Sequence, residues 1–152
     1  LGHALSTVIL MYMLFNLSST LLSTFFGSLS DKIGRRVILM TGYAIYAVVY
    51  ISFGFITEQT RGLLWIFWII YGVYYAMTEG VEKAFVSSLA STESKATALG
   101  FSHTILGVTL LPASIIAGLL FRLSASAPFI FGGAMSLMAV GIIVFFVKES
   151  KV

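Results

Sequence analysis

Cysteine is absent from the 152 residues, which excludes a disulfide framework, a thiolate metal site and a cysteine nucleophile. Charge is scarce. Asp, Glu, Lys and Arg make up 10% of the chain against 59% hydrophobic residues. With a mean hydropathy of +1.01, too little polar surface remains to clothe a water-soluble globule. The solvent this composition calls for is lipid. No phosphate-binding Gly-Lys loop occurs, which removes ATP hydrolysis as a driving force. His-Glu-x-x-His and Gly-x-Ser-x-Gly are absent too, which removes the usual grounds for an intramembrane hydrolase. No cofactor motif is present, and no metal site is expected. The nine Lys and Arg residues give a net charge of +3, but they sit in small clusters at the ends of apolar runs, so they read as orientation signals and no nucleic-acid partner is expected. The chain opens Leu1-Gly-His-Ala, with neither Met nor a basic leader, which is not a secretory signal peptide. It reads as an internal edge and predicts a longer polypeptide.

What is present is a succession of five apolar runs, and the reading is a single all-α transmembrane domain over residues 1–152. Spans are expected at 4–26, 37–56, 63–87, 97–121 and 127–147, each long enough to cross a hydrocarbon core about 30 Å thick. The first carries no charge but many Ser and Thr residues, so one face should meet protein or water. Thr57 to Gly62 is a short polar connection that lays the third helix antiparallel to the second. Trp65 and Trp68 stand near the interface, where amphipathic rings favour headgroups. Thr92 is the expected N-cap of the fourth span, with Glu93 in its first turn. Gly100, Gly107, Pro112 and Gly118 interrupt that span and invite a kink. Pro128 suits the first turn of the fifth, where its missing N–H is not needed.

Between the first two spans lies Gly27-Ser-Leu-Ser-Asp-Lys-Ile-Gly-Arg-Arg36, expected as a charged hairpin. On its side of the membrane fall Lys32, Arg35, Arg36, Lys83, Lys95, Lys148 and Lys151, whereas the other side holds Arg61 and Arg122. The positive-inside rule therefore places the 27–36 loop and the C-terminus in the cytoplasm of a cell (plasma or inner) membrane, with Leu1 outside.

On the third span, Trp68, Tyr71, Tyr75, Glu79 and Glu82 recur at steps of three or four and form one stripe, the pattern of a cavity wall. Glu79 stands about 24 Å along the helix from Leu63, at 1.5 Å per residue, hence on the cytoplasmic side of the midplane. An ionised carboxylate at mid-helix costs on the order of 2.5 to 3.5 kcal/mol, so it needs a water-filled path or a partner. Two readings stay open for Glu79: a protonatable group coupled to transport, or a local ion pair with Lys83 four residues on. Tyr71 and Tyr75 serve the cavity or pack. Asn16 is a candidate cavity residue or makes an interhelical hydrogen bond. His103, about six residues into its helix, is read as a solvated interfacial histidine rather than a proton relay.

The spacing Gly27-x-Leu29-x-Asp31-x-x-Gly34-Arg35-Arg36 resembles the signature loop of the major facilitator superfamily of secondary transporters. The stretches Tyr71 to Ala84, Ala96 to Gly100 and Leu111 to Leu120 look like the last three helices of the same proteins, so the resemblance covers nearly the whole chain. It implies the five-helix part of a six-helix half-bundle, helices eight to twelve of twelve, working by alternating access on a small-molecule substrate. The lipid bilayer and a missing N-terminal half are the implied partners. It further implies that Gly27, Asp31, Gly34, Arg35 and Arg36 form a gating loop, that Asp31 caps a helix start in the opposite half, and that Arg35 or Arg36 pairs with Glu82. Lys95-Ala96 departs from the family's Arg-Gly at that place. The alternative reading is a structural or assembly protein of the membrane with no transport of its own.

Overall fold

A computed structural model describes residues 5–147, and Leu1 and the basic Lys148 and Lys151 lie outside them. Five long helices follow one another: α1 (Leu5–Ile33), α2 (Arg35–Gly54), α3 (Leu63–Leu89), α4 (Lys95–Leu123) and α5 (Ala127–Phe146), with a single 3₁₀ turn at Glu58–Thr60. Four of them, all but α3, are apolar and long enough to cross a membrane. In α3 the run Tyr71, Tyr74, Tyr75 and Glu79 dilutes the hydropathy, and the helix is instead sheltered by its neighbours.

The ten-residue hairpin is corrected. Helix α1 continues to Ile33, and Gly34 alone separates it from α2. Ser28 and Ser30 do not open the chain, because their hydroxyls donate to the Phe25 and Gly27 carbonyls within the helix. Gly34 makes the break at φ 102, a left-handed conformation that costs glycine little and a side chain more. The cap of α4 also differs from expectation: Ser94, not Thr92, occupies the N-cap position, and no side chain caps there. Helix α4 runs unbroken through Pro112, and Pro128 stands in the first turn of α5.

Helix α3 packs against α1 and α2, α5 packs against α2, and α4 lies at the margin with none of its residues buried. The core sits where the ends of α1, α2 and α3 meet. Ile38, Leu39, Met77 and Val81 are buried there, with Phe26, Leu29 and Phe85 closing over them. Gly72 lets α1 and α3 approach closely, since a Cβ there would stand 2.8 Å from the Phe15 carbonyl oxygen. Small residues at such crossings replace the hydrophobic drive that lipid does not supply. The outer surface is greasy: Leu110, Leu111, Phe121 and Phe145 are all exposed. That surface fits hydrocarbon, and the chain is a multi-pass membrane protein in contact with the bilayer.

Candidate functional site: the basic elbow and the polar face of α3

The joint at Gly34 places two guanidinium groups at the helix ends. Arg35 opens α2 and reaches in two directions, its Nη2 3.0 Å from Asp31 Oδ1 on α1 and its Nη1 3.0 Å from the Ala84 carbonyl on α3. A planar fork suits this task, because two donors leave it at fixed angles. The Asp31 side chain stays 64% exposed while that of Arg35 is 29% exposed. Arg36 turns the other way. Its Nη2 donates to the Val144 carbonyl of α5 at 2.7 Å, one of the terminal carbonyls that lack an intrahelical donor. One loop therefore ties α1, α2, α3 and α5 at a common end.

The expected ion pair between Arg35 or Arg36 and Glu82 is not formed. Among the described residues the ion pairs are Asp31–Arg35, Glu58–Arg61 and Glu79–Lys83. Arg35 is engaged by Asp31 and the Ala84 carbonyl and Arg36 by the Val144 carbonyl, and neither is bonded to Glu82. Glu82 instead accepts a hydrogen bond from the Tyr43 hydroxyl of α2. Tyr43 is held in turn, since the buried Ser136 of α5 donates to its backbone carbonyl at 2.7 Å.

Glu79 and Lys83 meet at 3.1 Å, one helical turn apart, with both side chains about half exposed. They line a cavity of about 240 Å³ between α3 and α4, together with Tyr75, Glu82, Ser102 and His103. His103 is exposed on α4 and brings an imidazole to this polar cleft, a proximity that its position along the helix did not reveal.

The stripe on α3 divides. Phe15 of α1 inserts among its rings, with centroids 6.1 Å from Trp68, 5.4 Å from Tyr71 and 5.3 Å from Tyr75. Tyr71 then turns inward to Tyr74, Tyr46 and Tyr50, whereas Tyr75 remains at the surface. The sequence reading missed Tyr43, Tyr46 and Tyr50, although their steps of three and four mark one face of α2. Asn16 makes no interhelical bond among the described residues. Its Nδ2 donates to the Tyr12 carbonyl of its own helix at 2.8 Å, and it lines an open apolar groove of about 690 Å³ with Tyr12 and Trp65.

This geometry can be set beside known proteins. Over 139 residues the chain is 40% identical to the MFS-type transporter MJ1317 of Methanocaldococcus jannaschii, covering 91% of this chain and 34% of the relative. It is 26% identical over 139 residues to the quinolone resistance protein NorA of Staphylococcus aureus, covering 91% of this chain and 35% of that protein. The chain thus spans about a third of the length of these relatives. All of it, residues 1–152, matches the profile described as Major Facilitator Superfamily. With the signature loop, the helical bundle and the profile in agreement, the chain belongs to the major facilitator superfamily.

Proposed function

We propose that this chain is the C-terminal part of a secondary transporter that moves a small solute across a cell membrane by alternating access. The second half of the bundle comes from the rest of a longer polypeptide or from a partner chain. Alternating access needs two bodies that rock about a central site, and one five-helix bundle supplies one of them. The observation that carries the reading is the elbow at Gly34: Asp31 stands exposed at the end of α1 while Arg35 and Arg36 brace three other helices behind it. In this reading Asp31 meets the other half on the cytoplasmic side, consistent with the surplus of Lys and Arg there.

The polar face of α3 borders the solute path. Tyr75, Glu79 and the α4 cleft supply a carboxylate beside aromatic surface, while Tyr71 packs within the bundle. A relative's resistance to quinolones makes that class of compound the first to try. The test is reconstitution. Proteoliposomes receive residues 1–152 alone, or residues 1–152 with the part of the M. jannaschii relative that lies outside the matched segment, and uptake of a radiolabelled quinolone is followed under an imposed proton gradient. Gradient-dependent uptake is expected only when both parts are present. Uptake by residues 1–152 alone would overturn the two-body reading.

A further inference from the structure

Helix α4 is held loosely. None of its residues is buried, and the hydroxyls of Thr104, Thr109 and Ser114 return to carbonyls of the same helix. Two hollows run along its seam with α3: the polar cleft of about 240 Å³, and an apolar groove of about 390 Å³ walled by Val86, Leu89, Phe101 and Ile105. Ser102 and Leu106 line both. The seam therefore stands open on either side of a narrow contact. Charge in the polar cleft does not balance. Helix α3 contributes Glu79, Glu82 and Lys83, two carboxylates and one ammonium, which leave one negative charge in excess while the His103 imidazole is neutral. The Tyr75 phenol adds no charge. Helix α5, the other neighbour of α4, carries no ionisable side chain over Ala127–Phe146. On α4 itself the nearest charge is Lys95, about 12 Å away along the axis at 1.5 Å per residue. An excess charge on a membrane-spanning helix is poorly screened and calls for a partner.

From this we infer that His103 is a proton-operated clasp between α4 and α3: its imidazolium pairs with Glu79 and draws α4 over the cleft, and loss of the proton lets the cleft open. Histidine suits the task because its charge changes between about pH 5 and 8, and one proton on His103 brings the cleft to neutrality. Glu79 is the acid that is free to turn. Its partner Lys83 lies on its own helix with both side chains about half exposed, whereas Glu82 is held from the α2 side by the Tyr43 hydroxyl. No ion pair to His103 occurs among the described residues, so the form described is the open one. Closure needs little movement, since helices at such contacts shift by about 1 to 2 Å between two discrete arrangements. In the proposed function Glu79 borders the solute path, and a closed clasp withdraws it from that path. That consequence rests on the proposed function, whereas the clasp does not.

The absence of cysteine makes the test direct, because introduced thiols have no competitors. Cysteines placed at Gly80 on α3 and Gly107 on α4, where a Cβ meets nothing within 4 Å, carry nitroxide labels on the full 152-residue chain in lipid nanodiscs. Pulsed electron paramagnetic resonance reads their separation at about pH 8 and about pH 5.5, on either side of the histidine range. The separation should shorten by about 1 to 2 Å at the lower pH. His103→Gln should keep the longer distance at both pH values, and His103→Lys, with its permanent charge, the shorter one at both. Glu79→Gln should abolish the response to pH, and Glu82→Gln should retain it. A distance that ignores pH in the parent chain, or a shortening that persists in His103→Gln, overturns the inference. So does a response lost in Glu82→Gln and kept in Glu79→Gln. The readout does not depend on transport. Two-part uptake beside an unchanging distance would sink the clasp alone, whereas absent uptake beside an intact pH response would sink the proposed function and leave the clasp standing.

Discussion

Substituting Gly72 by Ala tests whether the approach of α1 to α3 sets the stability of the bundle. A Cβ built at position 72 falls 2.8 Å from the Phe15 carbonyl oxygen, 2.8 Å from Ser18 Cβ and 3.4 Å from the Ser19 nitrogen. Two of these atoms are backbone, and none is the end of a flexible side chain. Relief therefore requires α1 to retreat by roughly half an ångström, because packed interiors hold no slack to absorb it. Overpacking of this kind costs about 1 to 3 kcal/mol, and the better helix propensity of Ala returns up to about 1 kcal/mol. The net loss expected is about 1 to 2 kcal/mol. Gly107→Ala on α4 is the control, since a Cβ there meets nothing within 4 Å, and it should be neutral or stabilising by up to about 1 kcal/mol. The two variants should then differ by about 2 kcal/mol, roughly a 30-fold difference in unfolding constant. SDS titration followed by far-ultraviolet circular dichroism measures this. Tryptophan fluorescence should report the retreat of Phe15 from Trp68 at the same substitution. Equal midpoints for Gly72→Ala and Gly107→Ala would refute the reasoning.

Two further outcomes follow from the contacts at the helix ends. Arg36→Gln removes the charged donor from the Val144 carbonyl, so amide hydrogen exchange should quicken in the last turn of α5 and stay unchanged in its first turn, at a cost of about 1 kcal/mol. Glu79→Gln breaks a pair whose members are each about half exposed, and with solvent screening its effect on stability should stay below about 0.5 kcal/mol. In the reconstituted two-part assembly the same variant should abolish gradient-dependent uptake if Glu79 is the coupling group, and unchanged uptake would reduce it to a surface ion pair with Lys83.

Four of the five helices were legible because each is a long apolar run, and lipid leaves a backbone of that length no alternative to the helix. The Glu79–Lys83 contact was legible for a similar reason, since four residues on one helix fix two side chains relative to each other whatever surrounds them. Partners on different helices obey no such rule. Whether Glu82 meets Tyr43 or Arg35 depends on how α2 and α3 are rotated and how far one has slid along the other, and periodicity carries neither quantity. The hairpin was misread for a local reason: Ser28, Ser30 and Asp31 are residues that favour turns, yet the two serine hydroxyls return to carbonyls of their own helix. The interhelical bond expected of Asn16 fails for the same reason, its amide being satisfied one turn back on α1. Phe15 went unnoticed because an aromatic residue in an apolar run gives no sign of its neighbours, although it touches three rings of α3.

A joint of one residue also has a mechanical meaning. A ten-residue connection would take up a displacement of several ångströms by bending, and the helix beyond it would not respond. Between Ile33 and Arg35 only the two torsions of Gly34 are free. In the proposed function, a displacement of the exposed end of α1 near Asp31 would reach α2 through this one residue, and α5 through the Arg36 hydrogen bond.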